Sequence, residues 1–99
     1  MGQIIYKDVL FEWDDEKKAS NPGKHSGVTF DEALEVFFDP GLRFEDASRG
    51  GQARDSVIGY GEKNRILYVV NVELAAGGFR LISARKADAD ERRRYEEGA

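Results

Sequence analysis

Lys24, His25, Arg54, Arg65, Arg80 and Arg85 are the side chains of this sequence best suited to chemistry on an anion. A guanidinium offers N–H donors in a flat fork that meets two phosphate oxygens at once. His25, the only histidine, follows Lys24 in "GKHSG" and is the one residue type here that trades protons near neutrality, although a lone loop histidine is commonly just a solvated side chain. Other chemistries are closed. With no cysteine there is no disulfide and no thiolate nucleophile, and a single histidine cannot make a His-rich metal site. A carboxylate-only metal site stays open, but no spacing points to one, so neither metal nor cofactor is expected.

The charge that would attract an anion is unevenly placed. The chain carries a net −4, which argues against binding nucleic acid through bulk electrostatics. Residues 1–50 hold six basic and eleven acidic side chains, and residues 51–99 hold nine and eight, so an anion site should draw on the second half. Six of the fifteen Lys and Arg residues fall within residues 79–98. Three of these, Arg92, Arg93 and Arg94, have acids at i,i+4 spacing in Asp88, Glu97 and Asp90 respectively. Such pairs stabilise a helix by only ~0.2–0.5 kcal/mol each and mark a solvated face.

Arg80 and Arg85 have no such partners. Strand residues alternate faces, so two arginines five apart point in opposite directions unless the strand ends or bulges near Ser83. Alternatively, Arg80 merely covers the open side of a sheet and Arg85 holds carbonyls or carboxylates where the terminal helix starts. Arg54, Arg65 and Asn71 lie on the two preceding strands, and a bare sheet face would gather Arg54, Arg65 and Arg80 into a phosphate site.

The elements that must position these residues follow from periodicity. "IIYKDVLFEW" reads as a first strand. Asp14 or Asp15 then caps a short helix that Pro22 and Gly23 stop, leaving Lys24 and His25 in a connection. "TFDEALEVFF" opens on a capping box, Thr29 with Glu32, and sets Phe30, Ala33, Leu34, Phe37 and Phe38 at helical spacing. Strands follow at "LRFED", "RDSVIGYG", "RILYVVNVE" and "FRLISA", and a last helix is capped by Asp88 with Glu91 three residues on. Strands grouped after helices predict an α+β fold in a single domain, residues 1–99. No apolar run approaches the ~20 residues of a membrane helix and the start lacks a secretory pattern, which predicts a soluble, cytoplasmic protein.

In this order, "FEWDDEKKASN", "KH", "GVTFDEALEVFFDP", Arg54 ahead of Ile58-Gly59, "RILYVV", and "RLISARKA" followed by "ERRRYE" resemble the BrnT toxins of bacterial type II toxin-antitoxin pairs. The resemblance spans residues 11–97. It implies a RelE-like fold, an antiparallel sheet of about four to five strands with two N-terminal helices and one C-terminal helix. It also implies a ribonuclease that cuts messenger RNA without metal, through attack of a ribose 2′-hydroxyl on the adjacent phosphate. The implied partner is a BrnA-like antitoxin with a ribbon-helix-helix part, operator DNA being reached only through that antitoxin, and no membrane is involved. Carried over residue by residue, the resemblance covers Lys24, His25, Arg54, Arg80 and Arg85, which on that footing give Arg54, Arg80 and Arg85 to phosphate and transition-state charge and His25 or Lys24 to proton transfer. Arg65 and Lys86, outside that carry-over, are expected as further RNA contacts.

Two stretches depart from the family pattern. Asn21-Pro22-Gly23 interrupts a helix that usually runs straight into Lys-His-Gly. Asn71, Val72, Glu73 and Leu74 stand where the central strand commonly ends in a His followed by Thr-Glu-Arg, so a possible base and a cation are missing. These departures set an alternative function beside the first, a weakened or inactive toxin homologue kept as an antitoxin-binding regulatory module.

Overall fold

A computed structural model describes residues 1–98 as an α+β fold with three α-helices and one six-stranded sheet. The strands are β1 (Gly2–Tyr6), β2 (Val9–Trp13), β3 (Arg43–Asp46), β4 (Asp55–Tyr60), β5 (Ile66–Glu73) and β6 (Phe79–Lys86), in the spatial order β1-β2-β6-β5-β4-β3. The sheet is mixed: β2 runs parallel to β6, and every other pair is antiparallel. Both points correct the expectation of four to five antiparallel strands. The extra strand arises because "IIYKDVLFEW" folds back on itself at Lys7 and Asp8, whose φ values of 50° and 68° make the two-residue turn that matches strand twist. The parallel pair arises because helices carry the chain across the sheet between β2 and the meander β3 to β6.

The helices are α1 (Asp15–Lys24), α2 (Phe30–Ala33), which tightens into a 3-10 turn over Leu34–Phe38, and α3 (Ala89–Glu97). Both predicted capping boxes form, with Thr29 and Glu32 at α2 and Asp88 and Glu91 at α3. Pro22 does not end α1, which continues to Lys24 with Pro22 inside it. The proline only removes the bond its own nitrogen would make to the preceding turn, whereas the bonds that follow survive: His25 N–H donates to the Asn21 carbonyl at 3.0 Å.

One sheet face carries the core, where Phe11, Trp13, Val57, Leu67, Val69, Leu81 and Ala84 meet Val28, Phe30, Ala33, Leu34 and Val36. Phe11 stacks on Phe79 and meets Phe37 and Phe38 edge-on. Burying one such ring stabilises the fold by roughly 1.5–3 kcal/mol. Gly78, at φ +94°, lets the β5–β6 turn press against β2, since a Cβ there would run into the Leu10 carbonyl.

The opposite face is only partly covered. Helix α3 packs over β4, buries Ile58 and ties itself to β3 through Arg94, which donates to Glu45 at 2.7 and 3.0 Å. Tyr95 donates to Asp39 at 2.6 Å. Over β5 and β6 the same face stays open, with Tyr68, Val70 and Val72 half-buried. No helix of the described residues is long and apolar enough to cross a membrane.

Candidate active site

The open face owes its content to one irregularity in β6. Val70 stands opposite Ser83 and Asn71 opposite Leu81, so Ile82 is an extra residue with no partner on β5. Directly opposed residues share a face. Tyr68, Val70 and Val72 alternate onto one side of β5, and their partners are Arg85, Ser83 and Arg80. The bulge therefore puts Arg80 and Arg85 on the same face, while Leu81 and Ala84 both remain in the core.

Three adjoining hollows occupy this face. The largest, about 630 Å³, is lined by Arg54, Arg80, Lys17 and Ile82 among others. A second, about 280 Å³, has Arg54, Arg49, Tyr68, Ser83 and Arg85 in its wall. A third, about 120 Å³, lies between α1 and β6 and is lined by Lys17, Lys24, His25, Ile82 and Ser83. Arg54 borders the first two, Ser83 the last two, and Lys17 and Ile82 the first and third, so the hollows form one continuous concave surface.

Asn21 fixes the α1 wall. Because β2 pairs with β6 only as far as Trp13 opposite Leu81, the β6 edge is unpaired beyond that point. Asn21 fills the gap: its Nδ2 donates to the Ala84 carbonyl at 2.8 Å and its Oδ1 accepts from the Ala84 N–H at 3.2 Å. The same Nδ2 donates to the Val28 carbonyl at 2.8 Å. A buried amide thus acts as one residue of strand and leaves no polar atom of its own unpaired. Lys17 and Lys24, seven apart on the helix, lie near the face that carries Asn21 and so reach the hollow.

The cations differ in how freely they can meet a ligand. Arg54 donates to neutral Gln52 at 2.9 Å and has no ion-pair partner among the described residues. Lys24 is exposed, and His25 is half-buried as the C-cap of α1. Arg80 gives Nε and Nη2 to a single oxygen of Glu12, at 2.9 and 2.7 Å, its directly opposed neighbour on β2. Arg85 spends the end of its fork on Glu91, Nη1 and Nη2 each at 2.8 Å, and gives Nη1 to the Lys86 carbonyl at 3.2 Å. The bond to Glu91 raises the Arg85 pKa above its ordinary value. Glu91 also closes the α3 capping box, accepting from Asp88 N–H at 2.9 Å, so Arg85 anchors the start of that helix.

A family model described as the ribonuclease toxin BrnT of type II toxin-antitoxin systems matches residues 13–91. The chain belongs to the BrnT family. No curated protein matches it. A BrnT toxin is a ribonuclease and pairs with an antitoxin, so the concave face must be weighed as a place where RNA is held.

Set against the sequence, this BrnT chain brings Lys24, His25, Arg54, Arg80 and Arg85 to one surface and leaves two candidates elsewhere. Arg65 precedes β5 at the far end of the sheet and donates to buried Glu32 at 2.6 and 3.0 Å. Burial alone would raise the Glu32 pKa, but Arg65 and the Thr29 N–H outweigh it and the value falls. Lys86 is exposed opposite core residue Leu67 and borders none of the three hollows. Asn71 is fully buried on the core side, and its Oδ1 accepts no hydrogen bond. Of the helix arginines, Arg93 pairs with Glu97 at the expected spacing and also with Asp90, whereas Arg94 pairs with Glu45 and Arg92 with the Ala87 carbonyl instead of the acids four residues before them.

Sequence reasoning missed Lys17, Arg49 and Tyr68. Extending α1 through Pro22 would have exposed the first, since Lys17, Asn21 and Lys24 then fall near one helix face.

Proposed function

We propose that this BrnT chain cleaves messenger RNA as a metal-independent endoribonuclease and is silenced by an antitoxin with a ribbon-helix-helix part. The observation that carries the reading is the Ile82 bulge, which places Arg80 and Arg85 beside Arg54 and opposite the Lys24–His25 wall. Arg54 and Arg80 bind the scissile phosphate and hold the charge of the pentavalent transition state. His25 takes the 2′-hydroxyl proton as that oxygen attacks phosphorus, and Lys24 gives a proton to the departing 5′-oxygen. The products are a 2′,3′-cyclic phosphate and a 5′-hydroxyl. Among the described residues no three His, Cys, Asp or Glu side chains converge on a possible metal position.

The ion pairs support a second reading. Arg80 and Arg85 both face acids, and the body is net acidic, as suits a module that has kept its antitoxin contact and lost catalysis. Induced expression separates the two. The nuclease reading predicts growth arrest that co-expression of the antitoxin encoded beside it relieves, and loss of arrest with His25→Ala. Full growth while folded protein accumulates would support the module.

A further inference from the structure

Arg85 presents more than charge to the concave face. Its guanidinium carbon lies 4.3 Å from the centroid of the Tyr68 ring, directly across the β5–β6 ladder. Glu91 grips both terminal nitrogens and the Lys86 carbonyl takes a further N–H, so the guanidinium cannot rotate freely about its stem. The result is a flat cation held over an aromatic ring, and about a third of the Arg85 side chain remains exposed. Both groups wall the 280 Å³ hollow, which is near the lower end of the ~300–1,000 Å³ typical of small-molecule sites. Val70 and Ala47 add apolar surface to that hollow, and Arg49 and Arg54 add cations.

A phosphate would compete with Glu91 for the end of the Arg85 fork. A nucleobase would not, because it needs only a π surface. RNA bases are held by stacking on aromatic rings and on guanidinium planes, and every base has a face to offer. Arg54 stands between this hollow and the one that holds Arg80, so a base stacked at Tyr68 and Arg85 keeps its own phosphate within the reach of Arg54.

From this arrangement we infer that the Tyr68–Arg85 pair is a base-stacking subsite for the RNA substrate and favours purines, whose larger faces cover more of the pair. The inference rests on the nuclease reading and deepens it. Arg85 then acts mainly through the plane of its guanidinium, and Glu91 is a positioning residue that holds that plane.

The test uses short RNAs with 2′-O-methyl riboses, which bind but cannot be cut, carrying 2-aminopurine or an abasic site at successive positions. For the wild-type chain, one position should show 2-aminopurine quenching, and an abasic site at that position should weaken binding about fivefold to 150-fold, the worth of one base stack. Tyr68→Phe should keep the quenching and Tyr68→Leu should lose it, with the salt dependence of binding unchanged in both. RNA that binds and, with natural riboses, is cut, yet shows no quenched position and no abasic penalty in the wild type, overturns the subsite and leaves the nuclease reading intact. Failure to bind or cut any RNA overturns both. The wild-type comparison decides the matter even if Tyr68→Leu does not fold.

Discussion

Arg80 and Arg85, five residues apart on β6, stand on one face of the sheet because Ile82 bulges out of the ladder between them. A regular strand would send one of them into the core. The price of the extra residue is a local break in the β5–β6 ladder, and what it gives is a cationic surface whose second wall is α1.

That wall depends on Asn21. Asn21→Ala leaves the Ala84 N–H and carbonyl and the Val28 carbonyl without partners, and should cost roughly 2–3 kcal/mol in denaturant unfolding. If Asn21 docks α1 as described, RNA cleavage measured under conditions where the variant is fully folded should also fall. A stability loss below about 0.5 kcal/mol would mean that water replaces the amide.

Glu12 restrains Arg80. Glu12→Gln removes the competing charge and should tighten RNA binding up to about fivefold, the scale of a partly exposed ion pair. Arg80→Gln should weaken binding, and the double variant should resemble Arg80→Gln alone. Weaker binding by Glu12→Gln would instead show that Glu12 holds Arg80 in its working position.

Asp39 and Tyr95 define a pH window for stability. Burial works to raise the Asp39 pKa, but donors from Tyr95, Tyr60 N–H and Gly41 N–H outweigh it, so the folded value lies below the ordinary one. This contribution is present above the unfolded Asp value of about 4 and fades as pH falls through the lower folded value. Burial first, then the bond to Asp39, pushes Tyr95 up to about 12, so its contribution is present below pH ~10 and fades as pH rises towards 12. Tyr95→Phe should cost ~1 kcal/mol across this plateau, and the difference from wild type should shrink in acid and in alkali. Urea unfolding from pH 2 to 12 checks both limbs.

Asn71 carries a buried, unpaired Oδ1 in a core strand. Asn71→Val removes it in favour of a β-branched residue suited to the strand, and should stabilise by about 1 kcal/mol, seen as a rise of roughly 4–8 °C in Tm. RNA cleavage should be unchanged, because the side chain faces the core and not the hollows. A fall in cleavage would place Asn71 in the chemistry.

Much of this arrangement is visible in the sequence because local signals and packing agree. The two capping boxes, the four strands after residue 42 and the core spacing of Phe30, Ala33 and Leu34 all form. The Lys7–Asp8 hairpin is hard to see because its turn lacks the usual glycine and its flanks read as one apolar run. Pro22 misleads because a helix can lose a single hydrogen bond and continue when its buried face is held, here by Asn21. The condition for a shared face, a bulge near Ser83, can be written down from spacing alone. Whether the bulge occurs depends on tertiary pairing with β5. The acids that occupy Arg65, Arg80 and Arg85 come from Glu32, Glu12 and Glu91, and only Glu91 is close to its partner in sequence.

The most direct measurement is cleavage of a messenger RNA by the purified chain in excess EDTA, comparing wild type with Arg54→Ala. Arg54 holds no structural ion pair among the described residues, so its loss should leave the fold intact. The account predicts wild-type cutting to 2′,3′-cyclic phosphate ends and a fall of about 100-fold or more in the variant, the effect of deleting one preorganised transition-state donor. Equal rates for the two proteins, or cutting that stops when EDTA is added, would contradict it.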